Sequence, residues 1–237
     1  MATQNMRMFF FVGGPSTAGI TVFCYNNLQR NPEALAKLRA EHDAVLGGDL
    51  DAVPRLIARS PALLNSLPYT QAVLKESLRL FPMADGLREG SAECVVVDSQ
   101  GNRFPTEGYS VLISHLATQT NPRHWVRPLE FLPDRWVVEP SHELYPPVGS
   151  WRPFEVGPRA CLGQQAIMTE VKAVLACTAR EFDFKDCYPE LDGKRQIDLS
   201  AVFGERAYMV ESATAYPAGH YPCRVSLSGY RARQNIE

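Results

Sequence analysis

Between Asn121 and Gly157 the chain carries Pro122, Pro128, Pro133, Pro140, Pro146 and Pro147, with all three of its tryptophans at positions 125, 136 and 151. Each proline removes a backbone donor and fixes φ, so neither a long helix nor a central strand can occupy this stretch. It is expected to be a long irregular loop held by its own aromatic packing, of the kind kept for function. The sequence on either side must supply the regular structure.

Ahead of the loop the pattern is mostly helical. Met6–Arg30 reads as a buried helix, rich in residues such as Phe9, Phe10, Phe11, Ile20 and Phe23, interrupted around Gly13-Gly14-Pro15 because Pro15 costs an amide bond. Asn31-Pro32 opens a second helix, with Leu35, Leu38 and Val45 on one face and Gly47-Gly48 at its end. Ser60-Pro61 starts another, and roughly Pro68–Leu80 forms a longer one stopped by Phe81-Pro82. Cys94–Asp98 and Arg103-Phe104 read as a hairpin, and Tyr109–Ser114 as a further strand. After the loop, a helix is expected from about Leu162 to Arg180, then short strands and loops from Phe182 to Ser228. The fold class is α+β, mainly α: helix-rich with small β-sheets.

Charge narrows the function classes. The 24 Lys+Arg against 26 Asp+Glu give a net charge of −2, which excludes a strongly basic nucleic-acid binder. The longest apolar stretch near the start, Met8–Val12, is far too short to span a bilayer, so no membrane anchor or cleavable signal is read in this chain. Six cysteines, at 24, 94, 161, 177, 187 and 223, contain no Cys-x-x-Cys pair, against a zinc ribbon or a disulfide scaffold.

Cys161 stands apart. It follows a Gly/Pro-bearing turn, Trp151-Arg152-Pro153-Phe154-Glu155-Val156-Gly157-Pro158-Arg159-Ala160, and lies just before a helix, whose unpaired amides favour a thiolate. Gly157 permits a tight turn, Gly163 clears space beside the helix, Phe154 can shield the sulfur, and Arg159 offers a fork for a carboxylate. Three readings compete: a structural thiol, a nucleophile (although no histidine lies in this loop to act as base), and a thiolate ligand to haem iron.

Phe154, Gly157, Arg159, Cys161 and Gly163 fill the pattern Phe-x-x-Gly-x-Arg-x-Cys-x-Gly, which resembles the haem-binding signature of cytochrome P-450 enzymes. The resemblance implies haem b (iron protoporphyrin IX) with Cys161 as axial iron ligand, Arg159 pairing with a propionate, and Arg88 as a second propionate cation, for which a solvated arginine is the alternative reading. Glu76 and Arg79, three apart on a helix, can be read as an exposed pair worth a few tenths of a kcal/mol, roughly. The run Lys75–Pro82 instead resembles the family's Glu-x-x-Arg helix, and the Trp125–Trp136 stretch its third partner, which implies a structural network of Glu76, Arg79 and Arg135. Met83–Leu87 fall where the family's chain passes the open face of the haem.

The same resemblance covers the chain from about Phe9 to its end, and implies the C-terminal half of the cytochrome P-450 fold: residues 1–237 as a partial domain without the N-terminal half and its membrane anchor. The family's proton-delivery motif falls on Val12–Thr17, with Pro15 in place of the usual acid and Ser16 where threonine stands; Ser16 and Thr17 are the implied proton-delivery residues. The activity implied by the resemblance is that of a haem-thiolate monooxygenase of fungal secondary-metabolism type, acting on a small apolar substrate. Its electrons come from NADPH through a separate reductase, at the endoplasmic reticulum if an anchor precedes. The alternatives are a truncated, inactive remnant with weak or no haem binding, and a non-oxygenating haem-thiolate isomerase or dehydratase.

Overall fold

The computed structural model describes residues 2–193, 202, 204–212 and 214–230. Helix α1 (Ala2–Arg30) runs unbroken through Pro15, correcting the expected interruption. Proline removes only the donor to the Phe11 carbonyl. The turn ahead of it is reinforced, because Ser16 Oγ donates to Val12 O at 2.8 Å and Thr17 Oγ1 to Gly13 O at 2.9 Å. Nor is the helix buried throughout: Phe10 and Phe11 are exposed, and burial starts at Ser16 and Thr17 and is complete at Ile20 and Phe23. The side chain of Phe9 lies outside the described residues.

Helix α2 (Pro32–Leu46) begins and ends where the pattern places it. Asn31 does not cap it; its amide donates to Asn27 O at 2.7 Å and so fixes the corner with α1. Asp49 accepts from the amides of Asp51 and Ala52, leading into α3 (Val53–Arg59), a helix the sequence pattern does not reveal. Ser60-Pro61 starts a 3-10 segment, Pro61–Ser66, with no side-chain cap. Helix α4 (Pro68–Leu80) has the expected bounds and is buried on almost every side, including Glu76, Ser77 and Arg79.

Strand β1 (Gly86–Glu89), unforeseen, is followed by the expected hairpin of β2 (Val95–Val97) and β3 (Arg103–Pro105), then β4 (Ser110–Ile113). β4 returns antiparallel to β1 with Gly86 opposite Ile113. Helix α5 (His115–Gln119) comes at once, its first turn closed by Ser114 Oγ accepting from Ala117 N. Helix α6 (Gln164–Thr178) begins two residues later than expected, with Gly163 as its N-cap. Met168, Val171, Leu175 and Ala176 make its buried face, while Ala166 and Val174 are exposed. Then come β5 (Phe182–Asp186), a short α7 (Tyr188–Asp192), the hairpin of β6 (Met209–Ser212) and β7 (Thr214–Pro217), and β8 (Cys223–Leu227), which pairs antiparallel with β5.

Helices α1, α4 and α6 meet at the centre of the core, with Leu38 of α2 in the same cluster. Ile20 and Phe23 of α1, Leu74 and Leu78 of α4, and Val171 and Leu175 of α6 meet with almost no exposed surface, each contributing roughly 1.5–3 kcal/mol by burial. Phe23 stacks on Phe81 with centroids 4.1 Å apart. Phe81, Met83, Phe154 and Met168 belong to the same cluster, so the core carries the segment after α4 and the loop before α6 side by side. Among the described residues no helix is long and apolar enough to cross a membrane.

Candidate functional site

The Glu76 carboxylate is fully buried and accepts five hydrogen bonds. Arg79 supplies two, from Nε and Nη2, both at 2.9 Å; Arg135 Nε, Trp136 Nε1 and the Leu132 amide supply the others at 3.0 Å. The surface-pair reading of Glu76 and Arg79 is thereby corrected: Glu76, Arg79 and Arg135 all have zero exposure. Main-chain carbonyls take further guanidinium protons, Arg79's at Gln119, Pro128 and Glu130, and Arg135's at Val126 and Arg127. Burial pulls the Arg135 guanidinium below its ordinary pKa, and the Glu76 charge opposes it. Three desolvated charges are thus compensated by their mutual ion pairs and by main-chain carbonyls.

Aromatic rings connect this network to the cysteine loop. The Trp125 indole lies within 5.0 Å of the Arg79 guanidinium carbon and 5.6 Å of that of Arg135. Trp125 touches Trp136, Trp136 touches Trp151, and Trp151 meets Phe154 edge-on, with centroids 6.0, 5.6 and 5.9 Å apart. Trp151 Nε1 donates to Lys75 O at 3.1 Å, and the Lys75 ammonium sits over both Trp136 and Trp151. The expected self-packing of the tryptophan loop is therefore present, and its last ring opens the segment that carries the Cys161 signature.

Phe154 is buried, and its carbonyl accepts the Cys161 amide at 2.8 Å, closing the loop on itself. Gly157 turns the chain at φ 74°, a left-handed conformation that a side chain disfavours. Gly157–Arg159 form a single 3-10 turn. Cys161 is exposed, two residues ahead of the Gly163 cap, and a Cβ placed on Gly163 would come within 3.8 Å of its sulfur. Arg159 is also exposed and makes no ion pair or hydrogen bond among the described residues. Leu162, next to the cysteine, is completely exposed.

The other expected site residues lie on separate elements. Ser16 and Thr17 are buried on α1, with hydroxyls donating to carbonyls of their own helix. Arg88, on β1, is half-buried and reaches Glu155 Oε1 at 3.4 Å. A cavity of about 470 Å³ lies between α1, the end of α4, α5 and residues 127–132, lined among others by Asn27, Arg30, Phe81, Arg127 and Phe131. None of Met83–Leu87 lines it.

Several residues at this site escape sequence reasoning. Gln119 donates to the carbonyls of Leu78 and Arg79 and accepts the Arg152 amide at 2.8 Å, pinning the end of α4 to the start of the cysteine loop. Trp136 and Trp151 are visible in the sequence only as members of a tryptophan-rich loop. Glu155 occupies a variable position of the signature, yet its carboxylate gathers Arg152, His115 and Arg88. Burial acts to raise the Glu155 pKa, but the Arg152 hydrogen bond and the His115 charge outweigh it and hold the carboxyl below its ordinary range.

Comparison with known proteins agrees with this arrangement. The family model described as Cytochrome P-450 matches residues 3–211. The cytochrome P-450 monooxygenase polC of Polytolypa hystricis is 42% identical over 233 residues, which cover 97% of this chain and 42% of that protein. The cytochrome P-450 monooxygenase PC-23 of Penicillium crustosum is 34% identical over 200 residues, 84% of this chain and 95% of that one. The haem domain of cytochrome P-450DA superposes with a TM-score of 0.70 at 25% identity, over 93% of this chain and 42% of that domain. The chain thus spans less than half the length of polC and of that haem domain. The signature loop, the buried Glu76–Arg79–Arg135 network and these likenesses agree: the chain belongs to the cytochrome P-450 family.

Proposed function

We propose that this chain provides the thiolate side of a monooxygenase that acts on a small apolar, secondary-metabolite substrate. One observation carries the reading: an exposed thiol, Cys161, stands in a loop whose backbone is tied to buried Phe154, two residues from a guanidinium with no partner among the described residues. These residues fit haem b. A single soft anionic ligand, a free cation for an acidic side arm, and the exposed Leu162 for an apolar ring face are the donor set such a macrocycle takes.

Cys161 would ligate the iron, a thiolate donor that would push electron density toward it; the Phe154 carbonyl, by holding the Cys161 amide, sets where the sulfur stands. Arg159 would bind one propionate, and Arg88, while still reaching Glu155 Oε1 at 3.4 Å, would offer a second cation. When bound, the haem supplies reductive activation of dioxygen, with electrons that reach it from NADPH through a separate reductase. Ser16 or Thr17 moves protons at its hydroxyl oxygen: each donates along α1 and keeps lone pairs to accept from water. Glu76, Arg79 and Arg135 hold the tryptophan loop, and through it the cysteine loop.

A second reading has its own observation. Pro15 stands where the family motif carries an acid, and the hydroxyl protons of Ser16 and Thr17 are spent inside the helix. That composition suits a haem-thiolate isomerase or dehydratase, which needs no proton relay to dioxygen.

The reduced carbon-monoxide difference spectrum of the purified, haem-supplemented chain tests both. A long-wavelength Soret band that disappears in Cys161→Ala is expected. Absence of haem uptake identifies an inactive remnant, and product formed without reductase or dioxygen identifies the second reading.

A further inference from the structure

Glu155 has a backbone that non-glycine residues rarely adopt, with φ at 57°. Such a conformation persists only where the surroundings over-determine it. Here the side chain does so. Its carboxylate, largely buried, takes Arg152 Nη2 on Oε2 at 3.0 Å and faces both His115 Nε2 and Arg88 Nη2 from Oε1 at 3.4 Å. These partners come from the cysteine loop itself, from the first residue of α5 and from β1. His115 is held in turn: its amide donates to Asp85 Oδ1 at 2.8 Å, and its Nδ1 meets Ala84 O at 2.8 Å.

The carboxylate also lies directly on the main chain of Gly86, where a Cβ would collide with Oε1. Gly86 does not have positive φ, so it is close approach that excludes a side chain, to Glu155 Oε1 first and to Ile113 Cβ at 3.2 Å second. From these contacts we infer that Glu155 is a positioning residue: a carboxylate clamp that sets the Cys161 loop against β1 and α5 and thereby fixes where the sulfur stands. This rests on the reading of Cys161 as the iron ligand, but the clamp itself is a property of the protein alone.

Hydrogen exchange of the full chain, read by mass spectrometry, tests the clamp without haem. In Glu155→Ala, and independently in Gly86→Ala, which evicts the carboxylate without touching the loop, the amides of residues 154–162 are expected to exchange at least tenfold faster. Those of α4 and α6 keep their rates. Glu155→Gln, which retains an acceptor for Arg152 but no charge, falls between wild type and Glu155→Ala, and keeps the test alive should Glu155→Ala not fold. Unchanged loop exchange in the folded variants overturns the inference, as does equal acceleration throughout the chain, which marks a general stabiliser. In haem-supplemented protein, Gly86→Ala is further expected to lower the thiolate-type share of the reduced carbon-monoxide spectrum severalfold; an unaltered share overturns the role at the sulfur. Failure of wild type to take up haem refutes only the ligand reading, since the exchange arm still decides the clamp.

Discussion

Trp136 donates its indole N–H to Glu76 Oε2 at 3.0 Å, across sixty positions of sequence. This bond joins the tryptophan loop to the carboxylate that already holds Arg79 and Arg135, and the same indole packs on Trp151 at the head of the cysteine loop. Support for the thiol therefore passes through rings and buried charges rather than through the loop's own backbone alone.

Replacing Glu76 by Ala leaves two fully buried guanidinium groups without their counter-charge. The expected loss is about 3–5 kcal/mol of unfolding free energy. Urea denaturation followed by circular dichroism measures it, and a loss below about 1 kcal/mol, the value of an exposed pair, contradicts the network's burial.

Trp136→Phe keeps most of the ring packing and removes one hydrogen bond to a charged acceptor. A loss of about 1.5–3 kcal/mol is expected from the same titration. If Trp136→Phe matches wild type, the indole N–H is not holding Glu76.

Arg159 is exposed and unpaired among the described residues, so Arg159→Ala should leave stability within about 0.5 kcal/mol. Haem affinity, followed by Soret titration, is expected to fall about tenfold, the size of one lost charge-assisted contact of about 1.4 kcal/mol. Unchanged affinity removes Arg159 from the propionate role.

His42 makes stability depend on pH. Burial, and secondarily the Arg180 charge, push its pKa down to about 3. Thr70 Oγ1 spends its proton on Glu41 Oε2, so His42 Nε2 donates to Thr70, and among the described residues Nδ1 has no partner for a second proton. The unfolded chain binds that proton below about pH 6.5, where the folded chain refuses it. Stability is thus complete above that pH and falls as pH drops toward 3, by up to about 1.4 kcal/mol per pH unit. Comparing urea midpoints of wild type and His42→Gln between pH 6.5 and 5 checks this: the variant's slope should be markedly shallower, and equal slopes refute it.

Pro15→Ala restores a donor to the Phe11 carbonyl inside α1 at an exposed position. A gain of about 1–3 kcal/mol is expected, since proline in a helix interior costs about 3 kcal/mol relative to alanine. A lower thermal midpoint in the variant shows instead that the proline is accommodated by more than its neighbours' hydroxyl bonds.

Local rules read off the amino-acid order determined a good deal. The proline-led starts of α2 and α4, the Gly47 stop, the β2–β3 hairpin and the irregular tryptophan loop all obey interactions confined to a turn or two, and the signature around Cys161 is legible as a run of residue types. The same rules misjudged Pro15, because hydroxyl-to-carbonyl bonds in the adjoining turns compensate for one missing donor. Packing alone decided that Glu76 is buried rather than exposed, that Trp136 braces it while Gln119 ties α4 to the cysteine loop, and that Glu155 faces His115, Arg88 and the Gly86 backbone. Each of those contacts joins segments more than thirty residues apart. The energy of a charge or an indole N–H is set by desolvation and by the partner it meets in three dimensions, and neither quantity is written in its neighbours along the chain.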